Sequence, residues 1–154
     1  MGADTTIRPA GAGDEVRVRE IVEAAFGGYV ERLGLRPAPM DADYGELIRL
    51  GRAYVIGVPP AGVIVLVPLA DHLLVENVAV EPDSQGKGLG RRLLGFAEEE
   101  ARRLGVPQLR LYTNELMTEN LALYGRLGYT ETGRGSEARF RRVFFTKRLD
   151  STLP

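Results

Sequence analysis

The sequence predicts a mixed α+β domain, and three observations predict it. In the first half, apolar runs separated by short turn segments read as hairpins. In the second half, strand and helix periodicities alternate. Between one of those strands and the longest helical stripe lies a glycine-rich loop, Gln85-Gly86-Lys87-Gly88-Leu89-Gly90. Hairpins followed by alternation imply a mixed, mostly antiparallel sheet of about seven strands, with a parallel pair around the loop and about four flanking helices.

Taken in order, Thr5 to Pro9 reads as a short strand, and Asp14 offers a cap to a helix carrying Val16, Ile21, Val22 and Ala25 as far as Phe26. Gly27-Gly28 stops that helix. Pro37-Ala38-Pro39 is a loop, and Asp43 caps a second helix running to Leu50. Arg52 to Val58 and Val63 to Leu69 form a hairpin across Pro59-Pro60-Ala61-Gly62, and His72 to Val80 is a further strand. Leu89, Leu93, Phe96, Ala97, Ala101 and Leu104 make one helical stripe, closed by Gly105-Val106-Pro107. Leu109, Leu111 and Thr113 alternate with polar neighbours in a strand. Thr118 is placed to cap a helix bearing Leu121, Tyr124 and Leu127, and Tyr129 to Gly133 and Arg141 to Leu149 read as a final antiparallel pair with a polar loop between them.

Composition bounds the function. A chain of 154 residues reads as one domain over 1–154, and a net charge of −1 gives no argument for a nucleic-acid surface. The basic run Arg139-Phe140-Arg141-Arg142 reads as a solvated strand edge. With Cys 0 and His 1, thiolate chemistry is excluded and no metal site is expected. The N-terminal residues have no apolar core and Ala61 to Ala70 is too short to span a bilayer, so a cytoplasmic protein without a membrane partner is the expectation.

The glycine loop carries the chemistry. Glycines let backbone approach a ligand closely, and a helix start presents free N–H groups with partial positive charge, which suits phosphate. Lys87, Arg91 and Arg92 supply cations beside it. Gly86-Lys87 is followed by Gly88 where a P-loop needs Ser or Thr, and the glycine offsets do not fit a dinucleotide fingerprint.

The spacing Gln85-x-x-Gly88-x-Gly90 resembles the pyrophosphate motif of the GNAT superfamily of N-acetyltransferases, which bind acetyl-CoA. Glu76-Asn77-Val78-Ala79-Val80-Glu81-Pro82 is similar to that family's central strand, and Glu119-Asn120-Leu121-Ala122-Leu123-Tyr124-Gly125-Arg126-Leu127-Gly128-Tyr129 to its C-terminal motif. The strong part of the resemblance covers residues 50 to 149. It implies a sheet splayed at its parallel pair and acetyl-CoA as co-substrate.

The resemblance also implies roles. Backbone groups of Val78, Ala79 and Val80 would pair with pantetheine, and amides of Gln85, Gly86, Lys87, Gly88, Leu89 and Gly90 would hold the pyrophosphate. Arg91 or Arg92 would lie near the phosphates, with Lys87 toward the 3′-phosphate. Tyr124 matches the general acid for the thiolate; a phenol of pKa ~10 can protonate a thiolate of ~8.5. Its plain alternative is core packing. Asn120, on the same helix face, would hold pantetheine or simply bond its own backbone. Glu76 shares a strand face with Val78 and is the candidate base, against the alternative of an edge charge. Glu115, Glu119 and His72 are weaker candidates. Tyr29 to Tyr44 and Gly133 to Arg139 would frame the acceptor, although Tyr29, Met40 and Tyr44 also suit core packing, and Asp41, Asp43 and Glu46 suit a solvated, helix-capping cluster.

The expected activity is acetyl transfer to a primary amine, most simply a small molecule. The alternatives are a protein N-terminus or lysine, or a non-catalytic CoA-binding sensor. The Val and Phe residues of Arg142 to Lys147 suit a homodimer contact, and the same strand equally suits the interior of the sheet.

Overall fold

A computed structural model of the chain describes residues 5–137 and 140–149, with the side chains of Ser136, Glu137 and Phe140 left aside. The described strands are β1 (Ile7–Pro9), β2 (Ala53–Ile56), β3 (Gly62–Pro68), β4 (Leu73–Val80), β5 (Gln108–Asn114), β6 (Thr130–Glu137) and β7 (Phe140–Arg148). The α-helices are α1 (Glu15–Phe26), α2 (Tyr29–Leu33), α3 (Tyr44–Arg49), α4 (Leu89–Leu104) and α5 (Thr118–Arg126). The strands form a seven-stranded sheet in the order β1-β2-β3-β4-β5-β7-β6. The pairings β1·β2, β2·β3, β5·β7 and β6·β7 are antiparallel and β4·β5 is parallel, so the mixed α+β class holds. No helix among the described residues is long and apolar enough to cross a membrane.

The chain separates into two compact units. Among the described residues, the first holds 5–66 and 77–96 and the second 67–76, 97–137 and 140–149, so β4 contributes its first half to the second unit and its second half to the first.

In the first unit, α1 buries Val18, Ile21, Val22 and Phe26; of the residues expected on that face, Ile21, Val22 and Phe26 are buried, Ala25 is half-buried, and Val16 is exposed, with Val18 in its place one half-turn on. Asp14 stands at the head of α1, but its carboxylate accepts from Gly11 N (2.8 Å) and from Arg8 Nη1 (2.8 Å) and not from the helix. Asp43 does cap α3, accepting from Glu46 N at 3.0 Å. Gly62, which opens β3, is a close-approach glycine: a Cβ there would meet Ile56 Cγ2 at 2.9 Å, Ala79 O at 3.2 Å and Leu93 Cδ1 at 3.2 Å. The missing side chain lets α4 lie close over β3 and the end of β4, with Leu93 fully buried and Phe96 against the Tyr54 ring at 4.8 Å.

In the second unit, the parallel register runs from Leu73↔Leu109 to Val75↔Leu111, and β5 pairs along its length with β7, from Gln108↔Arg148 to Asn114↔Arg142. Because β7 is paired on both sides, the segment Arg142 to Lys147 is interior and the edge strand is β6. Strand β6 also runs further than its sequence suggests. The strand read from the sequence ends at Gly133 and Gly135 falls in the loop, yet both pair with β7, past a bulge between Glu131 and Gly133. Arg139, in the basic run, lies outside the described residues.

Candidate active site

The predicted site residues fall into two groups, one in each unit. In the first unit, β4 ends at Val80, and a 3-10 turn at Pro82–Ser84 leads into the glycine loop and α4. Gly86 (φ 82°) and Gly88 (φ 83°) are both left-handed, which a side chain would strain, and a Cβ on either would point into open space. The first i→i−4 bond of α4 is Arg92 N to Gly88 O (3.0 Å), so the N–H groups of Leu89, Gly90 and Arg91 precede the helix's own hydrogen bonding. Lys87 and Arg91 are exposed and take part in no ion pair among the described residues, whereas Arg92 reaches the carbonyl of Thr5 at 3.4 Å. Open glycines, unsatisfied helix-start donors and two uncommitted cations fit a pyrophosphate group.

Gln85 has a different place from its neighbours. Its backbone N–H donates to Pro82 O (3.2 Å), and its side-chain Nε2 donates to Val80 O (3.0 Å). Both groups tie the loop to the strand it leaves. Val78 and Val80 are half-buried and Ala79 is buried on the opposite face of β4. The end of the strand is braced by Glu81, which pairs with Arg17 of α1, while Arg17 Nε donates to Pro60 O at 2.9 Å.

The buried face of β4 carries one polar side chain that sequence reasoning passed over. Leu73, Val75, Asn77 and Ala79 are all buried, and Asn77 is 8% exposed. Its Nδ2 donates to the Tyr44 hydroxyl (2.7 Å), which donates to Pro39 O (2.6 Å). A carbonyl only accepts, so the hydroxyl presents a lone pair to Asn77 and the amide orientation is determined. That leaves Asn77 Oδ1 buried without a hydrogen-bond partner among the described residues, a situation that costs about 1–3 kcal/mol where no other partner reaches it. The signal in the sequence is one amide on a face otherwise occupied by Leu73, Val75 and Ala79.

The predicted acceptor frame in this unit is largely packed or paired. Tyr44 and Met40 are buried, and Tyr29 stacks beside Phe26 (6.4 Å) under the Arg32 guanidinium (4.9 Å). Asp41 accepts from Arg36 Nε (2.9 Å), Asp43 caps α3, and Glu46 pairs with Arg49.

In the second unit, Tyr124 on α5 is 6% exposed, with its ring in edge contact with Tyr129 (5.8 Å) and tilted on Phe145 (5.7 Å). These contacts hold the phenol in one direction. Burial is the main cause that pushes the Tyr129 phenol well above its usual range, with Glu98 and Tyr124 adding to it, and its hydroxyl is buried without a hydrogen-bond partner among the described residues. One turn before Tyr124, Asn120 Nδ2 donates to Thr113 Oγ1 (3.3 Å), whose hydroxyl donates to Met117 Sδ (3.4 Å). The same logic that orients Asn77 turns Asn120 Oδ1 away from Thr113. Thr118, expected as the cap of α5, is its first helical residue; the residue at the cap position is Met117, while Asn114 Oδ1 accepts from Leu116 N (2.9 Å).

The acids separate clearly. Glu76, in the first half of β4, is exposed and has no hydrogen bond or ion pair among the described residues. Glu115 is held by Arg141 (3.1 Å) and Arg134 (3.8 Å). His72 Nδ1 lies 2.7 Å from Asp71 Oδ1, a hydrogen bond that lowers the Asp71 pKa.

Comparison with known proteins follows this arrangement. Residues 49–131, a stretch that includes the glycine loop and Tyr124, match the family model described as acetyltransferase (GNAT) domain. The chain is 43% identical over 53 residues to mycothiol acetyltransferase of Geodermatophilus obscurus, covering 34% of this chain and 17% of that protein. It is 37% identical over 59 residues to IAA acetyltransferase of Azospirillum brasilense, covering 38% and 39%. It is 39% identical over 61 residues to the ribosomal protein bS18-alanine N-acetyltransferase of Escherichia coli K12, covering 40% and 41%. The chain thus spans well under half the length of these curated relatives. Among solved structures, the PaiA N-acetyltransferase of Thermoplasma acidophilum, in complex with coenzyme A, superposes with TM-score 0.80 at 15% identity, over 97% of this chain and 100% of that one. The Escherichia coli ribosomal-protein-S18-alanine N-acetyltransferase does so with TM-score 0.72 at 20% identity, over 97% and 99%. The match to the family model extends over more than half of the sequence, and the chain belongs to the GNAT acetyltransferase family.

Proposed function

We propose that this protein, acting as one acetyltransferase domain in the cytoplasm, transfers the acetyl group of acetyl-CoA to a primary amine by direct attack in a ternary complex. The observation that carries the reading is the start of α4. Left-handed Gly86 and Gly88 face open space there, helix-start donors precede the first helical hydrogen bond, and Lys87 and Arg91 stand uncommitted among the described residues. In this reading the amides from Gly86 to Gly90 and the side chain of Arg91 hold the pyrophosphate. Lys87 reaches the 3′-phosphate, backbone groups of Val78 and Val80 pair with pantetheine, and Asn120 Oδ1 accepts from a pantetheine amide.

Chemistry follows from the same residues. The amine nitrogen attacks the thioester carbonyl carbon; the C–N bond forms and the C–S bond breaks. Glu76, uncommitted and exposed, takes the amine's proton directly or through water, and the Tyr124 phenol gives its proton to the departing thiolate. A covalent acetyl-cysteine is impossible in a chain with Cys 0.

Residues 29–44 frame the acceptor in this reading, and a small-molecule amine is the leading class. The names of two relatives, mycothiol acetyltransferase and IAA acetyltransferase, support the small-molecule part of that reading. The similarity to a ribosomal-protein alanine N-acetyltransferase supports the second reading, a protein N-terminus.

The deciding experiment is thermal unfolding with acetyl-CoA, using ATP and NADH as controls, followed by thiol release with small amines and short peptides. A ligand that binds only the native state raises the melting temperature by mass action. A shift confined to acetyl-CoA supports the site, and no shift at millimolar concentration removes it. Faster release with peptides than with small amines would favour the second reading.

A further inference from the structure

We propose that Asn77 is a positioning residue for the acceptor side of the reaction. It acts through Tyr44 on the Pro37–Tyr44 segment, and the inference rests on the reading of residues 29–44 as the acceptor's frame. The relay lies within one unit of the molecule. Asn77 Nδ2 donates to Tyr44 Oη (2.7 Å), and Tyr44 Oη donates to Pro39 O (2.6 Å) in the 3-10 turn Ala38–Asp41. That turn is closed by Met40 N to Pro37 O (3.0 Å), with Arg36 Nη2 on Met40 O at 3.3 Å. A tyrosine hydroxyl with one partner rotates about its C–O bond. With a donor on one side and an acceptor on the other it has a single direction. Asn77 therefore restrains where Tyr44 holds the carbonyl of Pro39.

Stability does not explain the choice of residue. Leu73, Val75 and Ala79 share the buried face, and an apolar side chain at position 77 would leave no unpartnered Oδ1. A buried polar group that the fold would be as stable or more stable without is expected where it determines a geometry that function uses.

The test uses Asn77→Leu, which keeps the branching pattern without polar atoms, and Tyr44→Phe, which keeps Asn77 and removes the hydroxyl. Amide hydrogen exchange at Ala38 and Met40 to Tyr44 is measured beside the melting temperature. Kinetics use acetyl-CoA with spermidine, phenethylamine and alanyl-glycinamide. Expected for both variants are faster exchange at those amides and a rise in KM for the best amine of roughly five- to tenfold, the factor one neutral hydrogen bond carries, with KM for acetyl-CoA unchanged. The double variant should add nothing to either single one, because both cut the same relay. Unchanged exchange, an unchanged amine KM, or equal rises in both KM values would overturn the proposal. If the unsubstituted protein releases no thiol with any of the three amines, the acetyltransferase reading itself fails, and the positioning role falls with it. Should Asn77→Leu fail to fold, Tyr44→Phe decides by the same readouts.

Discussion

The side-chain amide of Gln85 donates to the main-chain carbonyl of Val80 at 3.0 Å, so the first residue of the glycine loop is fastened to the last residue of the strand before it. The backbone N–H of Gln85 is also committed, to Pro82 O. Gln85 thus shapes the loop from below and leaves the groups from Gly86 onward for a ligand. Replacing it with alanine should raise KM for acetyl-CoA by roughly five- to tenfold, the worth of one hydrogen bond that orders the loop, and leave kcat nearly unchanged. Steady-state kinetics with varied acetyl-CoA check this, and a fall in kcat with KM constant would place Gln85 in the chemical step instead.

Tyr124 is held by the rings of Tyr129 and Phe145, and its replacement by phenylalanine preserves that packing. If the phenol protonates the thiolate, Tyr124→Phe should lower kcat by about 10²–10⁴-fold, the usual contribution of a general acid, while acetyl-CoA binding by calorimetry stays the same. Full activity in the variant would return Tyr124 to the core-packing role.

Much of this was legible along the chain, and the failures have identifiable physical causes. The α4 stripe and the Asp43 cap are local signals: Leu89, Leu93, Ala97 and Ala101 are buried where the spacing puts them and Asp43 caps α3, whereas Phe96 is half-buried and Leu104, at the end of the stripe, is exposed. The short helix α2 was missed because Gly27-Gly28 reads as an ending, yet the chain resumes helical geometry at Tyr29. Strand β6 reads as ending at Gly133 because Gly133-Arg134-Gly135 looks like a turn; the pairing beyond it comes from β7, which local sequence does not report. Asn77 was visible as a residue but not as a relay, because its partner Tyr44 is 33 positions away.

Tyr129 offers a test of stability separate from activity. Its hydroxyl is buried without a hydrogen-bond partner among the described residues, and burial raises its pKa well above the ordinary phenol range, so the group stays neutral at any working pH. Tyr129→Phe keeps the edge contact with Tyr124 and removes an unsatisfied donor. It should stabilise the fold by about 1 kcal/mol, a melting temperature higher by about 2–4 °C, with kcat within twofold of the parent. Calorimetry checks the first and thiol release the second. A loss of stability would mean that the hydroxyl has a partner in solution, with an internal water the simplest.

Asp14 supplies a pH dependence with a definite sign. The Arg8 guanidinium bonds both of its carboxylate oxygens, at 2.8 and 3.0 Å, and this is the main cause that holds the Asp14 pKa below its ordinary value; the Gly11 N–H adds to it. A folded-state pKa below the unfolded one means that the pair's stabilisation is complete above the unfolded value of about 3.9 and is lost as pH falls through the folded value. Asp14→Asn keeps an acceptor for Gly11 and removes the charge. The variant should melt about 2 °C below the parent between pH 5 and 7, a modest gap because Arg8 is largely exposed. As the pH is lowered below about 4 the gap should close, because the parent's own carboxylate becomes protonated and loses the same interaction. Melting curves of both proteins at stepped pH decide it, and a gap that persists or widens in acid would show that Asp14 stabilises α1 by something other than its ion pair with Arg8.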